Sequence, residues 1–474
     1  MAVLHTDVFG QYPEPDPTAV EAALEEELRL NKKKLVVLDD DPTGVQTVHD
    51  ISVYTNWEKE SIREAFEEEN NLFYILTNSR GFTAEETAQA HLEIAAVVNE
   101  VSRETGKEYL FLSRSDSTLR GHYPLETKLL KQEYEKNTGN KIDGEVLCPF
   151  FREGGRFTIG NVHYVKYGDD LIPANETEFA GDKTFGYLAA TMPDYVEEKT
   201  KGEYKAEDVT CISLEDLRTG DVDRICGILM AVHDFNKVIV NAIDYIDVKI
   251  FAAALFKAMR QGKVFMFRTA AALVKVMGGI SDRPLLTREE MVLNETDNGG
   301  IIVIGSHTDK TTRQMEALRA LPGLEFIELD ASKVKDDRAF NEEVKRVLAL
   351  EEKFISSGKS VCCYTSRTLV TADTGNKEDE LRLAVKISDA VASLVGCLKV
   401  TPGFVIAKGG ITSSDVGTKA LRVRRANVLG QIKPGIPVWQ TMEESKFPNM
   451  SYVIFPGNVG DDQTLKEAAE ILMG

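Results

Sequence analysis

The feature that most restricts the folds open to this chain is a recurring switch of period. Short apolar runs at 34–38, 51–54, 72–76, 109–112 and 145–148 alternate with amphipathic stretches several helical turns long. A strand buried on both faces shows no polar alternation, and a helical crossover lets the next strand lie parallel to the last. One amphipathic stretch, 84–103, is opened by Thr83-x-x-Glu86, a pattern that satisfies helix-end N–H groups reciprocally. The rhythm predicts an α/β fold with mainly parallel sheets and helices on both faces.

The rhythm lapses twice. Residues 169–218 are polar and rich in Glu, Lys and Thr, and read as excursions and loops beside the sheet; alternation returns at 237–240 and 263–267. Residues 281–300, "SDRPLLTREEMVLNETDNGG", are charged, end in two glycines and make the best linker in the chain. Apolar runs at 301–304, 324–329, 360–364, 403–407 and 451–455 then build a second α/β unit. Its helix at 377–397 carries Leu381, Ala384, Val385, Ser388, Val391 and Val395 on one helical stripe. A length of 474 residues suits two domains. They are expected at 1–290 and 291–474, with a ligand site in the cleft between them.

Composition narrows the partners. A net charge of -20 argues against general binding to nucleic acid or to an anionic membrane, since both need a basic surface. A small anionic ligand needs only a few local cations. The six cysteines form neither a C-x-x-C pair nor a zinc spacing, and read as free thiols of a reducing compartment. No apolar run is long enough to span a bilayer, and no basic-then-apolar leader opens the chain, so the expected location is cytoplasmic. The sequence leaves the oligomeric state open; a homodimer is compatible with it.

In the first half, three predicted strands run into polar clusters: "LDDDPTG" (Asp39, Asp40, Asp41), "YILTNSRG" (Arg80) and "YLFLSRSDSTLRGH" (Asp116, Arg120). The carboxyl ends of strands in open α/β sheets converge on one crevice, which would gather Asp40, Asp41, Arg80, Asp116 and Arg120. A lone Asp-Gly or Asp-Pro after a strand is ordinarily a turn; three such clusters together point to a site. The arginines offer planar forks to a carboxylate or phosphate, and the aspartates accept hydrogen bonds from hydroxyls. Cations for an acid head and acceptors for a polyol tail describe a small sugar acid. "FFREGGRFTIGNVHYV" adds a glycine turn between Arg152 and Arg156, open to either an anion contact or a plain hairpin.

The second half has three glycine-bearing strand exits: "VIGSHTDKTTRQ" (Gly305, Ser306), "IAKGGITSSDVG" (Gly409, Gly410, Ile411, Thr412) and "IFPGNVGDDQTL" (Gly457, Asn458, Gly460). Helix amino termini with glycine before them suit phosphate groups. None of the three is a Walker loop.

"DDDPTG", "TNSRG", "SRSDSTLRGH", "GGRFTIG", "GSHTDKTTRQ", "KGGITSSDV" and "PGNVGDD", in this order over nearly the whole chain, resemble the four-carbon acid sugar kinase family, with Asp116 to Gly121 as the most specific signature. The resemblance implies an amino-terminal sugar-acid domain and a carboxyl-terminal nucleotide domain. It further implies phosphorylation of the terminal hydroxyl of threonate, erythronate or a keto derivative, with ATP and Mg²⁺. Carried over by motif, Asp40, Asp41, Arg80, Asp116, Ser117, Thr118, Arg120, Gly121 and Arg156 would bind the acid, with Asp116 or Asp41 orienting or deprotonating the hydroxyl. Gly305, Ser306, Gly409 to Thr412, Gly457, Asn458 and Gly460 would contact ATP. Two departures stand out: Arg114 where many members have Lys, and Ile411 where many have Glu.

Two rival readings are open. "VVLDDDPTG" also fits the opening of haloacid-dehalogenase-type phosphatases, with Asp39 as nucleophile, Asp41 as acid/base and Mg²⁺ bound. Thr77 and Asp461–Asp462 would then supply later motifs. A non-catalytic ligand-binding homologue would explain Ile411.

Overall fold

The computed structural model describes residues 2–292, 296–367, 370–371, 377–457 and 459–474, with the side chains of 377–381 left aside. The chain forms two compact units: Met1–Gly44 with Asn56–Asp282, and Val45–Thr55 with Arg283–Gly474.

The first unit is built on a parallel sheet in the order Thr210–Ile212, Asn236–Val240, Gly144–Cys148, Phe265–Thr269, Tyr109–Arg114, Lys34–Asp39, Leu72–Leu76. Lys34–Asp39 is buried at every position, as a strand covered on both faces requires. Even Lys34 is buried, its ammonium bonded to the Glu68 and Asn70 carbonyls. Two sets of helices supply the cover. Pro17–Leu30 and Val222–Met230 pack on Tyr245–Arg260, while Lys59–Glu67 and Leu125–Thr138 pack on Ala84–Thr105. The predicted Thr83/Glu86 box caps Ala84–Thr105.

Residues 169–218 are not the loops the sequence suggests. Asp170–Pro173 joins Val162–Tyr167, Arg156–Ile159 and Leu4–His5 in a small antiparallel sheet. Met192–Lys199 is a helix, capped by Thr191 with Pro193 in its first turn. Its Tyr195 and Val196 join a core with Tyr123, Leu147 and Ile239. The stretch reads as loop because its apolar residues are spaced for short half-buried elements rather than for one long period.

The second unit carries a mixed sheet in the order Ile51–Tyr54, Arg425–Lys433, Ile436–Thr441, Ser451–Phe455, Val405–Lys408, Ile301–Ile304, Ser360–Thr365, Leu324–Leu329. The pairings from Ile51–Tyr54 to Ser451–Phe455 are antiparallel, and the rest are parallel. The antiparallel portion follows from Pro434-Gly435: proline presets the turn and Gly435 takes the positive φ of 77°. The expected linker is partly core, since Leu286 and Met291 are buried with Ile302, Phe404 and Val453. The helix Lys377–Gly396 forms as its period predicts, but its stripe is buried only at the end. Val391 and Val395 are buried, Ala384 and Val385 are exposed, and Leu381 lies outside the described side chains.

Candidate functional site

Parallel register places Asp39, Leu76, Arg114, Thr269 and Cys148 level at the carboxyl ends of their strands. The polar clusters read from the sequence leave from this edge. The three adjacent aspartates meet arginines there. Asp39 is 1% exposed, and its Oδ1 accepts from Arg114 Nη1 at 3.2 Å. A Cβ on Gly44 would overlap the Asp39 carboxylate, so glycine is what lets the turn close over it. Burial pushes the Asp39 carboxyl up to about 7 against the pull of Arg114. Arg80 forks onto Asp40 (Nη2 to Oδ1 2.6 Å, Nε to Oδ2 3.1 Å) and donates from Nη1 to Asp41 Oδ2 at 3.2 Å. Burial would raise the Asp41 carboxyl, but Arg80 and the Thr43 hydrogen bonds overcome it and hold it below the usual range.

Arg120 grips Asp116 in the same two-pronged way (Nε to Oδ2 2.8 Å, Nη2 to Oδ1 3.2 Å), and Arg80 Nη1 stands 3.9 Å away. Burial opposes ionisation of Asp116, yet Arg80 and Arg120 hold its carboxyl well below the usual carboxylate range. It is therefore a permanent hydrogen-bond acceptor and a weak base.

The turn from Asp116 to Gly121 is held by its carbonyls. Ser117 O accepts from His163 Nε2 (2.7 Å), Thr118 O from the Tyr187 hydroxyl (3.1 Å), Leu119 O from the Tyr195 hydroxyl (2.8 Å) and Arg120 O from Arg268 Nη2 (2.8 Å). His163 is neutral, burial pushing it down to about 4, and its Nδ1 accepts from the Thr158 hydroxyl at 3.0 Å. Leu119 takes a φ of 70° and Gly121 one of 118°. A Cβ on Gly121 would sit 3.4 Å from both Arg268 Nη2 and Asp40 Oδ2. Thr118 turns its hydroxyl onto Asp116. Arg268 also lies 3.6 Å from Glu126, which accepts from the Ser79 hydroxyl at 2.8 Å.

The structure thus gathers Asp40, Asp41, Arg80, Asp116, Ser117, Thr118, Arg120 and Gly121 through these contacts. Arg156 reaches the same group through Phe179, whose ring centroid is 5.1 Å from the Arg120 guanidinium and 5.3 Å from that of Arg156. One expectation changes. Arg80 and Arg120 do not wait as free forks for a ligand's acid group, because each is engaged by aspartates of the site itself. Sequence reasoning missed Arg268, Glu126, Phe179, Tyr187 and Tyr195, and it set His163 aside as a surface or packing residue. Only Arg268 left a signal, as a guanidinium inside the apolar run Phe265–Thr269.

In the second unit, Ile304, Tyr364, Lys408 and Phe455 are level in register. A Cβ on Gly305 would lie 2.5 Å from Thr412 Oγ1, and one on Gly409, whose φ is 114°, would lie 3.5 Å from Ser306 Cβ. Gly305, Ser306, Gly409 and Thr412 therefore form one cluster, and Gly410 begins the helix Gly410–Asp415. The hydroxyls of Ser306, Thr308 and Thr311 bond one another at the amino end of the helix Asp309–Leu318. Arg367 donates to Ser306 O at 2.7 Å. Lys408 is fully buried and donates to the carbonyls of Pro456 (2.6 Å) and Gly457 (3.1 Å), tying two of the glycine exits together. Gln314, at the end of the motif that holds Gly305, links that third exit to the one at 457–460 by donating to Val459 O and Asp461 O. There Gly460, with a φ of 77°, packs against Thr464. Ile411 is 74% exposed. Asn458 lies outside the described residues. Lys408, Gln314 and Arg367 went unread in the sequence.

Among the described residues no group of three His, Cys, Asp or Glu side chains is placed to hold a metal ion, and no helix is long and apolar enough to cross a membrane.

Residues 35–277 match the family model for a sugar-binding N-terminal domain, and 301–465 match that for a nucleotide-binding C-terminal domain. The class is thus a two-domain protein with a sugar-binding half and a nucleotide-binding half. The chain belongs to the four-carbon acid sugar kinase family. A curated relative, the D-threonate kinase of Salmonella typhimurium strain LT2, is 22% identical over 409 residues, covering 84% of this chain and 88% of that protein. Two crystal structures share the fold. A Salmonella typhimurium LT2 protein has a TM-score of 0.65 at 14% identity, covering 92% of this chain and 99% of its own. Haemophilus influenzae protein HI1011 has a TM-score of 0.59 at 16% identity, covering 92% of this chain and 100% of its own.

Proposed function

We propose that the protein is an ATP-dependent kinase acting on the terminal hydroxyl of a four-carbon sugar acid of the threonate, erythronate or oxo-tetronate type. One observation carries the reading. A single chain holds an Asp/Arg cluster made to bind a hydroxylated anion, and also a glycine and hydroxyl cluster at strand ends suited to phosphate.

In this reading Asp40, Asp41 and Asp116 accept hydrogen bonds from the substrate's hydroxyls. The N–H groups that open Asp309–Leu318, with Ser306, Gly409 and Gly410, receive the nucleotide phosphates. The attacking hydroxyl oxygen bonds to the γ-phosphorus as the bond to ADP breaks, and its proton passes to a carboxylate or to water. Phosphoryl transfer runs through a loose transition state, so positioning matters more than base strength. A strongly ionised Asp116 fits that demand: it orients the hydroxyl without having to be a strong base. Among the described residues there is no ready-made cage for Mg²⁺, and the Ile411 side chain adds no oxygen ligand. Mg²⁺, if it enters with the nucleotide, would supply neutralisation of phosphate charge without a dedicated protein cage. The partners are small molecules of the cytoplasm, the sugar acid and ATP.

The phosphatase reading meets a structural obstacle. Asp39 would have to attack a phosphorus atom, yet it is buried beneath Gly44 and held by Arg114. The two readings also differ in the test tube. A kinase consumes ATP only with a four-carbon acid present, whereas a phosphatase hydrolyses phosphate esters with magnesium and no ATP. A non-catalytic homologue would bind nucleotide and phosphorylate no acid of the panel. Asp116→Ala is expected to lower turnover about 100-fold or more while the thermal unfolding profile stays cooperative. A folded variant with full phosphoryl transfer would remove Asp116 from the mechanism.

A further inference from the structure

Glu126 is a buried carboxylate that the chemistry above leaves without a task. It stands in the first turn of the helix Leu125–Thr138, where the helix dipole favours a negative charge. An acid in such a position ordinarily faces water, yet Glu126 is 2% exposed. Its backbone N–H donates to His122 O at 3.1 Å, so it follows directly on the Asp116–Gly121 turn.

Its two oxygens hold different partners. Oε1 accepts from the Ser79 hydroxyl at 2.8 Å, with His91 Nε2 3.9 Å away. Oε2 lies 3.6 Å from Arg268 Nη1 and 3.5 Å from the Ser113 hydroxyl. Among the described residues Glu126 is the one carboxylate within 4 Å of Arg268, whose Nη1 is buried with no hydrogen-bond partner. Burial would raise the Glu126 carboxyl, but His91, Arg268 and the Ser79 hydroxyl together hold it below the usual range.

Each of the two main partners governs a site arginine. Ser79 immediately precedes Arg80, which forks onto Asp40, reaches Asp41 and stands 3.9 Å from Asp116. Arg268 Nη2 holds the carbonyl of Arg120, the residue that grips Asp116. Asp116 thus lies between two guanidiniums, and both trace back to one carboxylate. An arginine orients an aspartate only as well as its own loop is held, and a misplacement of about 1 Å can cost a reaction 100-fold.

We propose that Glu126 is a positioning residue: bonded to Ser79 and paired with Arg268 at once, it couples two strand exits and sets where Arg80 and Arg120 stand around Asp116. It acts through these arginines and not on the substrate. The inference rests on the kinase reading for its kinetic consequence and on the fold alone for its structural one.

The test compares Glu126→Gln and Ser79→Ala with the wild type in the full chain. Gln keeps the size but cannot balance Arg268, whereas Ala removes only the tie to the Arg80 exit. Hydrogen exchange without ligand is read first. Glu126→Gln is expected to speed amide exchange at least about tenfold at both 77–82 and 116–121, while the helix Asp309–Leu318 of the second unit keeps its wild-type rate. Ser79→Ala should speed exchange at 77–82. Kinetics with threonate and ATP come second. Glu126→Gln should lose about 100-fold in kcat/KM for threonate, with KM for ATP within about twofold of the wild type. The double variant should be no worse than Glu126→Gln, because both changes cut the same tie.

Faster exchange at only one of the two exits in Glu126→Gln overturns the proposal. So does a KM for ATP that rises with that for threonate, since general damage to the fold would move both. Removing one partner of a buried ion pair is destabilising. If Glu126→Gln does not fold, Ser79→Ala decides: unchanged exchange at 77–82, or an unchanged kcat/KM, overturns the proposal. Coupled exchange in a protein that consumes ATP with neither threonate nor erythronate would leave the positioning role standing and refute the kinase. Wild-type turnover in both folded variants would do the reverse.

Discussion

The state of a buried acid in this protein is set by the balance between burial and the cations that face it: burial wins at Asp39 in spite of Arg114, and two arginines win at Asp116. Asp116 is buried and remains ionised because two arginines face it. Glu351, on the helix Asp337–Ser356, is fully buried with no cation in salt-bridge reach among the described residues. Its Oε1 accepts from the Cys363 thiol at 2.7 Å, and its Oε2 has no partner. Burial pushes it up to about 8, from an ordinary value of 4.5. The sign follows directly. Between those values the folded state keeps a proton that the unfolded chain has lost, so stability is greatest below about 4.5 and falls as pH rises towards 8. The slope from this one group reaches about 1.4 kcal/mol per pH unit at most. Glu351→Gln removes the titration. Its unfolding midpoint, relative to the wild type, is expected to climb steadily from pH 5 to pH 8.5. A gap that stays constant across that range would mean Glu351 does not titrate in the native protein.

At the scale of elements, the Asp116–Gly121 turn is shaped by groups remote in sequence. His163 comes from the strand Val162–Tyr167, Tyr195 from the helix Met192–Lys199, and Arg268 from the strand Phe265–Thr269. Tyr195→Phe strips the donor from the carbonyl of Leu119, a buried residue with left-handed backbone. An unpaired buried carbonyl costs roughly 1–3 kcal/mol, and the turn is expected to relax. The proposed kinase should then lose about tenfold in kcat/KM. Tyr187→Phe should act on the same turn through Thr118, so the double variant should lose less than the product of the single losses. Independent, multiplicative losses in a double-mutant cycle would show that the turn is not held as one unit. This clamp also marks where sequence reading stops. The strands at 51–54, 72–76, 301–304 and 451–455 have the bounds their apolar runs predict, because burial on both faces is written locally. The Asp/Arg strand exits were legible for the same reason. Arg156–Ile159 and the first half of Arg425–Lys433 alternate polar and apolar residues and lack that signature, whereas the buried run 436–439 carries it and went unread. A tyrosine hydroxyl that bonds a carbonyl 76 residues away leaves no local pattern at all.

At the scale of the whole molecule, contiguity in sequence and compactness in space part company. The sugar-binding family model runs unbroken over 35–277, yet Val45–Thr55 belongs to the second unit. Ile51–Tyr54 pairs antiparallel with Arg425–Lys433, from Ile51↔Val428 to Tyr54↔Arg425, and Gln46 donates to Gly435 O at 3.1 Å. Ile51, Val53 and Tyr54 are all buried. At about 1.5–3 kcal/mol per apolar side chain, their burial is worth roughly 5 kcal/mol, comparable with the whole stability of a typical domain. A fragment limited to residues 283–474 would lose that contribution and expose Arg425–Lys433 as a free sheet edge, a template for pairing between molecules. The fragment is therefore expected to self-associate in light scattering and to unfold at lower urea concentration. The same fragment with residues 45–55 restored on a flexible tether should be monomeric and unfold cooperatively. If both forms were monomeric with the same urea midpoint, the strand would be an ornament of the second unit, not a structural part of it.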